Sequence, residues 1–113
     1  GIAAIRDGEP VIRRTLERFR RARDFLVREL NAIDGVQAAT PSGTLYAFFR
    51  VEGVTDSLAF CKRLVRDAGL GLAPGSAFGP EGEGFVRWCF ASGEERLAQG
   101  IERLRSVLVH QVG

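Results

Sequence analysis

The chain has 113 residues, of which 45% are hydrophobic and 27% are charged, and its formal net charge is +2. This length is enough for one modest core, and the composition is that of an ordered globular domain and excludes a disordered segment. The small net charge gives no electrostatic argument for nucleic acid, and no apolar run approaches the roughly 20 residues of a membrane-spanning helix. The chain contains no methionine, so we expect it to be a piece or a processed product of a longer protein.

The first predicted element is a long helix that begins within residues 7–10 and runs to about Asn31. Pro10 suits a first helical turn, and the acidic side chains beside it suit the positive end of the helix dipole. An apolar stripe follows at helical spacing: Ile12, Leu16, Phe19, Ala22, Leu26 and Leu30. Residues 1–8 lack a complete pattern, and we expect them to be the remnant of a connection to a neighbouring domain. The domain itself would then cover residues 9–113.

The opposite face of this helix is rich in arginine, which raises the alternative of a nucleic-acid-binding surface. Glu17 precedes Arg21 by four residues, and Asp24 precedes Arg28 by four. Pairs at this spacing are typical of a solvated helix face that neutralises its own charges. We therefore expect ion pairs on this face and no contact with nucleic acid.

The rest of the chain predicts strands in pairs, separated by helices. Six further elements are expected in this order: strands over residues 36–39 and 44–51, a helix from Thr55 or Asp56 to Ala68, strands over residues 70–73 and 85–90, and a last helix. The order helix-β-β-helix-β-β-helix predicts a single small α+β domain, in which helices pack on one mixed or antiparallel sheet. The aromatic residues Tyr46, Phe48 and Phe49 are interpreted as core, because the signature of an RNA-stacking sheet is lacking.

A glycine-rich loop and the strand after it hold the features that bear on function. Four glycines and a proline lie within residues 75–84, and this density predicts an exposed loop that turns sharply. Alternation along the following strand places Val86, Trp88 and Phe90 on the core face. Arg87 then lies on the opposite face in mid-strand.

A desolvated guanidinium without a partner is costly, so Arg87 requires an anion. One interpretation is a structural salt bridge, with Glu52 or Glu83 as the candidate acid. The other is a binding site for the carboxylate of a ligand, which the planar fork of arginine engages through two hydrogen bonds. The residues alone leave both interpretations open.

Three segments of the chain resemble a known family. They are Pro41-Ser42-Gly43-Thr44-Leu45-Tyr46, Ala73-Pro74-Gly75-Ser76-Ala77-Phe78-Gly79 and Gly84-Phe85-Val86-Arg87-Trp88-Cys89-Phe90-Ala91-Ser92. In this order and at this spacing they are similar to the carboxy-terminal small domain of class I/II aminotransferases, which are pyridoxal-phosphate enzymes of fold type I. The resemblance covers nearly the whole chain. It implies that Arg87 holds the α-carboxylate of the substrate.

The resemblance also implies which parts of such an enzyme lie outside this chain. In the family, the lysine that carries the cofactor, the acid that pairs with its pyridine nitrogen and the phosphate site all belong to a large domain. The only lysine here is Lys62, on a predicted surface helix without a phosphate-binding motif. We therefore expect that the chain alone has no catalytic residue, binds no cofactor and is inactive.

The parent protein is expected to be a homodimeric aminotransferase that uses pyridoxal 5'-phosphate to transfer an amino group between an amino acid and a 2-oxo acid. No nucleic acid, membrane or metal is expected among its partners, and no Cys, His or carboxylate cluster has metal-ligand spacing. Cys61 and Cys89 are expected to be free thiols, as in a cytoplasmic protein. Two other functions stay open: a stand-alone regulatory module that senses a small carboxylate through Arg87, and an α+β domain that binds nucleic acid.

Overall fold

The chain is described by a computed structural model, which covers the backbone of residues 2–112 and the side chains of residues 11–109. It contains three helices and four strands within these residues. In chain order they are α1 (Ile2–Asn31), β1 (Val36–Ala38), β2 (Tyr46–Val51), α2 (Ser57–Ala68), β3 (Ala73–Pro74), β4 (Phe85–Cys89) and α3 (Glu94–Val112). Two short 3-10 helices, Gly75–Phe78 and Pro80–Gly82, lie between β3 and β4.

The strands form one antiparallel sheet in the order β1-β2-β4-β3. Arg87 of β4 lies opposite Phe48 on one neighbouring strand and opposite Ala73 on the other. All three helices contribute buried apolar side chains to one core with the sheet. The predicted fold class, a single small α+β domain with helices packed on the sheet, is confirmed.

Alternation along β2 and β4 assigns their side chains to a core face and an outer face, as period-2 geometry requires. The core face of the two strands consists of buried residues: Ala47, Phe49, Val51, Val86 and Trp88. Phe90 follows β4 and is also buried. The predicted core face of Val86, Trp88 and Phe90 is therefore confirmed, and the helices cover it.

Helix α1 differs from the prediction at its start and in the burial of its stripe. It begins at Ile2 instead of within residues 7–10, so it runs through the predicted domain start at residue 9. The stripe is buried from Ala22 onward, whereas Ile12 is 60% exposed and Leu16 is 51% exposed. The first half of the described helix therefore extends beyond the core of this chain. The side chains of residues 1–8, predicted to form a connection, lie outside the described ones.

The ion pairs predicted on α1 are not formed among the described residues. Asp24 pairs instead with its neighbour Arg23 at 3.0 Å, and the Arg28 guanidinium lies 5.7 Å from the centroid of the Phe25 ring. The arginine-rich face is nevertheless exposed, as predicted for a solvated surface. Its long side chains reach different partners from those the spacing suggests, because exposed pairs are weak and compete with water.

Helix α2 begins and ends at the predicted capping residues. The Asp56 carboxylate accepts a hydrogen bond from the Ala59 amide at 3.0 Å, and Gly69 ends the helix in the left-handed conformation with φ 64°. The strand predicted over residues 70–73 is shorter and lies later in the chain, at Ala73–Pro74. Within the part of the chain that the structure describes, no helix is long and apolar enough to cross a membrane.

Candidate functional site

The outer face of the sheet is not covered by the helices, and it combines aromatic and arginine side chains. Tyr46 is 38% exposed and Phe48 is 40% exposed, although both lie in a strand that is buried on its other face. Six side chains of β2 and β4 share this face: Tyr46, Phe48, Arg50, Phe85, Arg87 and Cys89. Core packing, predicted for the three aromatic residues of β2, is therefore correct for Phe49 and wrong for Tyr46 and Phe48.

The Arg87 guanidinium contacts two aromatic rings. Its central carbon is 4.2 Å from the centroid of the Tyr46 ring and 4.3 Å from that of the Phe78 ring. Tyr46 belongs to β2, and Phe78 belongs to the 3-10 turn that follows β3. The two rings therefore come from different segments of the chain, which lead into the neighbours of β4 on its two sides. Both distances are within the range of a cation–π contact.

No carboxylate of the described residues pairs with Arg87. Glu83, one predicted partner, instead accepts hydrogen bonds from the amides of Ser57 at 2.7 Å and of Gly84 at 3.0 Å. Glu52, the other predicted partner, lies in the turn beyond the far end of β2, where its amide donates to the Gly35 carbonyl at 2.7 Å. The predicted salt bridge of Arg87 to Glu52 or Glu83 is therefore wrong.

Among the described residues, the N–H donors of Arg87 have no hydrogen-bond acceptor, and they are accessible to solvent. None of the hydrogen bonds between residues 11–109 uses its guanidinium, and in the same residues no fully buried side-chain nitrogen or oxygen lacks a partner. It follows that the unpaired donors reach solvent. A half-buried cation with free donors at the surface is suited to an incoming anion, since charge-assisted hydrogen bonds to a carboxylate are among the strong ones.

The loop that carries Phe78 is anchored to the start of α2. Ser57 is fully buried, and its hydroxyl accepts from the Ser76 amide at 3.3 Å and lies 3.2 Å from the Ser76 hydroxyl. The Ser57 amide donates to the Glu83 carboxylate, and these contacts hold the pKa of that carboxyl below its ordinary value of 4.5. The loop was predicted to be exposed throughout, but Gly75 is buried within it.

Sequence reasoning predicted Arg87 as a binding residue and assigned no role to Tyr46 or Phe78, the two aromatic residues that contact it. Alternation along β2 could have placed Tyr46 on the outer face, since it shares the parity of Phe48 and Arg50. The pairing of β2 with β4, which brings Tyr46 beside Arg87, involves residues about forty positions apart, and no local pattern encodes it. Phe78 lies in one of the three segments that carry the family resemblance, but its contact with Arg87 depends on the path of an irregular loop, which no local pattern encodes.

The residues that the structure describes do not fit a pyridoxal phosphate site. Lys62 is exposed on α2 and makes no hydrogen bond or ion pair in the described structure. The described residues contain no group of three His, Cys, Asp or Glu side chains that could hold a metal ion. Cys61 is buried and Cys89 is exposed, and both are free thiols as predicted.

Comparisons with known proteins find similar sequences and folds among aminotransferases. No family model matches the chain. It is 35% identical over 107 residues to the LL-diaminopimelate aminotransferase of Oleidesulfovibrio alaskensis, an alignment that covers 94% of this chain and 27% of that protein. It is 38% identical over 93 residues to the aspartate aminotransferase of Thermotoga maritima, covering 82% of this chain and 23% of the relative.

A solved structure of similar fold is the aromatic aminotransferase from Pyrococcus horikoshii, with a TM-score of 0.84 and 30% identity. That alignment covers 90% of this chain and 27% of the other. The chain thus spans about a quarter of the length of the relatives that it matches. In sequence and in fold, the chain therefore matches a part of aminotransferases of fold type I, consistent with the predicted resemblance to their carboxy-terminal small domain.

Proposed function

We propose that this chain is the domain through which a pyridoxal-phosphate-dependent aminotransferase binds the α-carboxylate of its substrates, and that Arg87 makes this contact. The proposal is supported by the contacts of the Arg87 guanidinium. It is held by two rings, and its N–H donors are left without an acceptor among the described residues. A planar carboxylate can accept two parallel hydrogen bonds from such a fork, which a lysine cannot provide.

The chemistry of amino transfer explains why one arginine suffices for both substrates. An amino acid and a 2-oxo acid each carry a carboxylate on the carbon at which the amino group is lost or gained. A fixed cation that binds this carboxylate therefore places the same carbon in the same position in both directions of the reaction. The side-chain specificity of the enzyme requires further contacts, and the names of the relatives include enzymes for several different amino acids.

The cofactor belongs, in this proposal, to another domain of the same protein. Pyridoxal phosphate supplies the electron sink for the reaction when it is bound, and Lys62 stands exposed on α2, away from any phosphate-binding motif. We therefore propose that the isolated chain is inactive and forms no specific adduct at Lys62. The active protein would be a homodimer in the cytoplasm, where free thiols such as Cys61 and Cys89 persist.

Substitution of Arg87 in the aminotransferase that carries this domain tests the proposal. Loss of a desolvated charge partner costs about 2–5 kcal/mol, so Arg87→Ala should lower kcat/KM by roughly 30- to several-thousand-fold. Arg87→Lys should recover only part of this loss, because it retains the charge without the fork. The matched control is Arg50→Ala, since Arg50 lies on the same face and stacks at 5.4 Å on a different ring, that of Phe85.

The Arg50→Ala control distinguishes a specific contact of Arg87 with the carboxylate from a general effect of positive charge on this face. Arg50→Ala should leave kcat/KM within about threefold of the wild type, since an exposed charge contributes little. Equal losses from the two substitutions would refute a specific carboxylate contact at Arg87. Loss of the fold in Arg87→Ala, with full activity in the molecules that remain folded, would also refute it.

A further inference from the structure

We infer that Tyr46 and Phe78 are positioning residues, which fix the Arg87 guanidinium for the ligand carboxylate without occupying its hydrogen-bond donors. The inference rests on the proposed function of Arg87 and adds two residues to it. Both rings are substantially exposed, at 38% for Tyr46 and 51% for Phe78, yet both contact the guanidinium. Their exposure and this shared contact distinguish them from core residues.

The need for such residues follows from the flexibility of arginine. Its side chain has several rotatable bonds, and a ligand that had to order it on binding would lose affinity to the entropy of ordering. The two rings in contact with the guanidinium restrict it before the ligand arrives. The carboxylate then meets a preorganised pair of donors.

The choice of aromatic partners over an acidic one is physically informative. A glutamate beside Arg87 would hold it equally well, but it would use the same N–H donors and neutralise the charge that the ligand needs. An aromatic face attracts the cation through its quadrupole and accepts no strong hydrogen bond. Glu83, an acid of the same loop, instead accepts hydrogen bonds from the amides of Ser57 and Gly84.

Each ring is supported by a different part of the fold. Tyr46 lies in β2, and its backbone is fixed by pairing with β4 opposite Cys89. The Phe78 ring contacts the Phe48 ring edge to face, with centroids 6.0 Å apart and an interplanar angle of 88°. Hydrogen bonds between Ser76 and Ser57 hold the loop that carries Phe78 against the start of α2. Sheet and loop therefore contribute one ring each to the same cation.

The experiment measures how tightly the enzyme that carries this domain binds a simple carboxylate. Propionate is used as a competitive inhibitor, because it offers a carboxylate and only a short apolar tail. Tyr46→Leu and Phe78→Leu should each raise the inhibition constant of propionate and the KM of the amino acid by about 3- to 10-fold, the range expected for loss of a partly desolvated cation–π contact. The kcat should change by less than about threefold, because the chemistry occurs on the cofactor.

Conservative variants and a control separate positioning from stability. Tyr46→Phe and Phe78→Tyr retain the rings and should restore the inhibition constant to within about twofold of the wild type. Phe85→Leu is the matched control: it removes a ring on the same face that contacts Arg50 instead of Arg87, and it should leave the constant unchanged. If a leucine variant does not fold, the methionine variant at the same position replaces it in the comparison.

Arg87→Ala makes the failure of this inference distinguishable from that of the proposed function. In that background, Phe78→Leu should have no further effect on the inhibition constant, because the two side chains act as one unit. If Arg87→Ala weakens propionate binding while the leucine variants bind it as the wild type does, the positioning role is overturned and the carboxylate site stands. If Arg87→Ala leaves propionate binding unchanged, both are overturned.

Discussion

Gly75 and Gly82 lie backbone against backbone at the base of the loop that carries Phe78. A Cβ atom on Gly75 would overlap the carbonyl oxygen of Gly82 and would lie 2.7 Å from that of Phe85. Real Cβ atoms do not approach backbone so closely, and a carbonyl within a strand and a carbonyl in a tight turn cannot easily move aside. Glycine is therefore required at Gly75 by the close approach of two chain segments, which fixes the path of the loop.

Gly75→Ala should accordingly displace the loop and with it the Phe78 ring. We expect a loss of about 1–3 kcal/mol in the free energy of unfolding, as for other overpacked buried positions. In the enzyme we also expect the inhibition constant of propionate to rise at least as much as in Phe78→Leu. Urea denaturation and inhibition kinetics measure the two effects.

Gly71→Ala is the control for this substitution, because nothing lies within 4 Å of a Cβ at Gly71 and its φ is not positive. It should leave stability and inhibition close to those of the wild type. An equal effect at both glycines would show that the contact between Gly75 and Gly82 does not determine the loop.

The sequence predicted the faces of the site better than its contacts. Alternation in β4 was enough to place Arg87 opposite the core, because a strand has a fixed period of two. The glycine density was enough to predict sharp turns within residues 75–84, but the burial of Gly75 against Gly82 depends on two segments meeting in space. The rings of Tyr46 and Phe78 reach Arg87 through strand pairing and loop path, which are tertiary properties.

The helices show the same difference between local patterns, which the sequence predicts, and tertiary contacts, which it does not. The stripe of α1 was read correctly as apolar, and its second half from Ala22 is buried. Periodicity alone could not indicate that Ile12 and Leu16 extend past the core, because a stripe shows which face is apolar and not what covers it. Conversely, the ends of α2 at Asp56 and Gly69 were predictable, since capping is a local property of a few neighbouring residues.

Gly100 on α3 allows the helix to approach the Trp88 ring of the core. A Cβ at this position would lie 2.6 Å from an atom of that ring, and Trp88 is only 5% exposed. Alanine in a helix interior normally gains about 1 kcal/mol over glycine. Here we expect Gly100→Ala to lose about 1–2 kcal/mol in the free energy of unfolding, because overpacking exceeds that gain.

Gln99→Ala is the control for Gly100→Ala, because Gln99 lies one residue earlier on the same helix and is exposed. Thermal or urea denaturation should show little change for Gln99→Ala and a clear loss for Gly100→Ala. A stabilised Gly100→Ala protein would mean that the Trp88 ring relaxes without cost and that helix propensity dominates.

The two thiols should differ strongly in reactivity. Burial in the core raises the pKa of the Cys61 thiol to about 11, whereas Cys89 is exposed on the outer face of the sheet. The thiolate is the reactive form, so iodoacetamide at about pH 8 should modify Cys89 in the folded chain and spare Cys61. Peptide mass spectrometry assigns the modified residue.

Unfolding the chain in urea supplies the internal control for this labelling. Cys61 should then react at a rate similar to that of Cys89, because the burial that protects it is removed. Rapid modification of Cys61 in the native chain would contradict its placement in the core beside the sheet.

Acid should weaken the anchor between the loop and α2. The hydrogen bond from the Ser57 amide is the main cause that lowers the pKa of Glu83 below its ordinary 4.5, followed by the nearby Ser57 hydroxyl and the hydrogen bond from the Gly84 amide. A carboxyl with a lower pKa in the folded state binds its proton less readily there than in the unfolded chain. Its contribution to stability is therefore fully present above about pH 4.5 and is lost as the pH falls through the lower folded value.

Glu83→Gln removes this titration while it retains one acceptor oxygen for the Ser57 amide. The difference in free energy of unfolding between the wild type and Glu83→Gln should be constant at neutral pH and should shrink as the pH is lowered below about 4.5. Glu81→Gln is the control, because Glu81 is exposed in the same loop and its carboxylate makes no hydrogen bond among the described residues. A pH dependence for Glu83→Gln no larger than that for Glu81→Gln, or a Glu83→Gln curve that ran parallel to the wild type down to pH 3, would contradict the anchor.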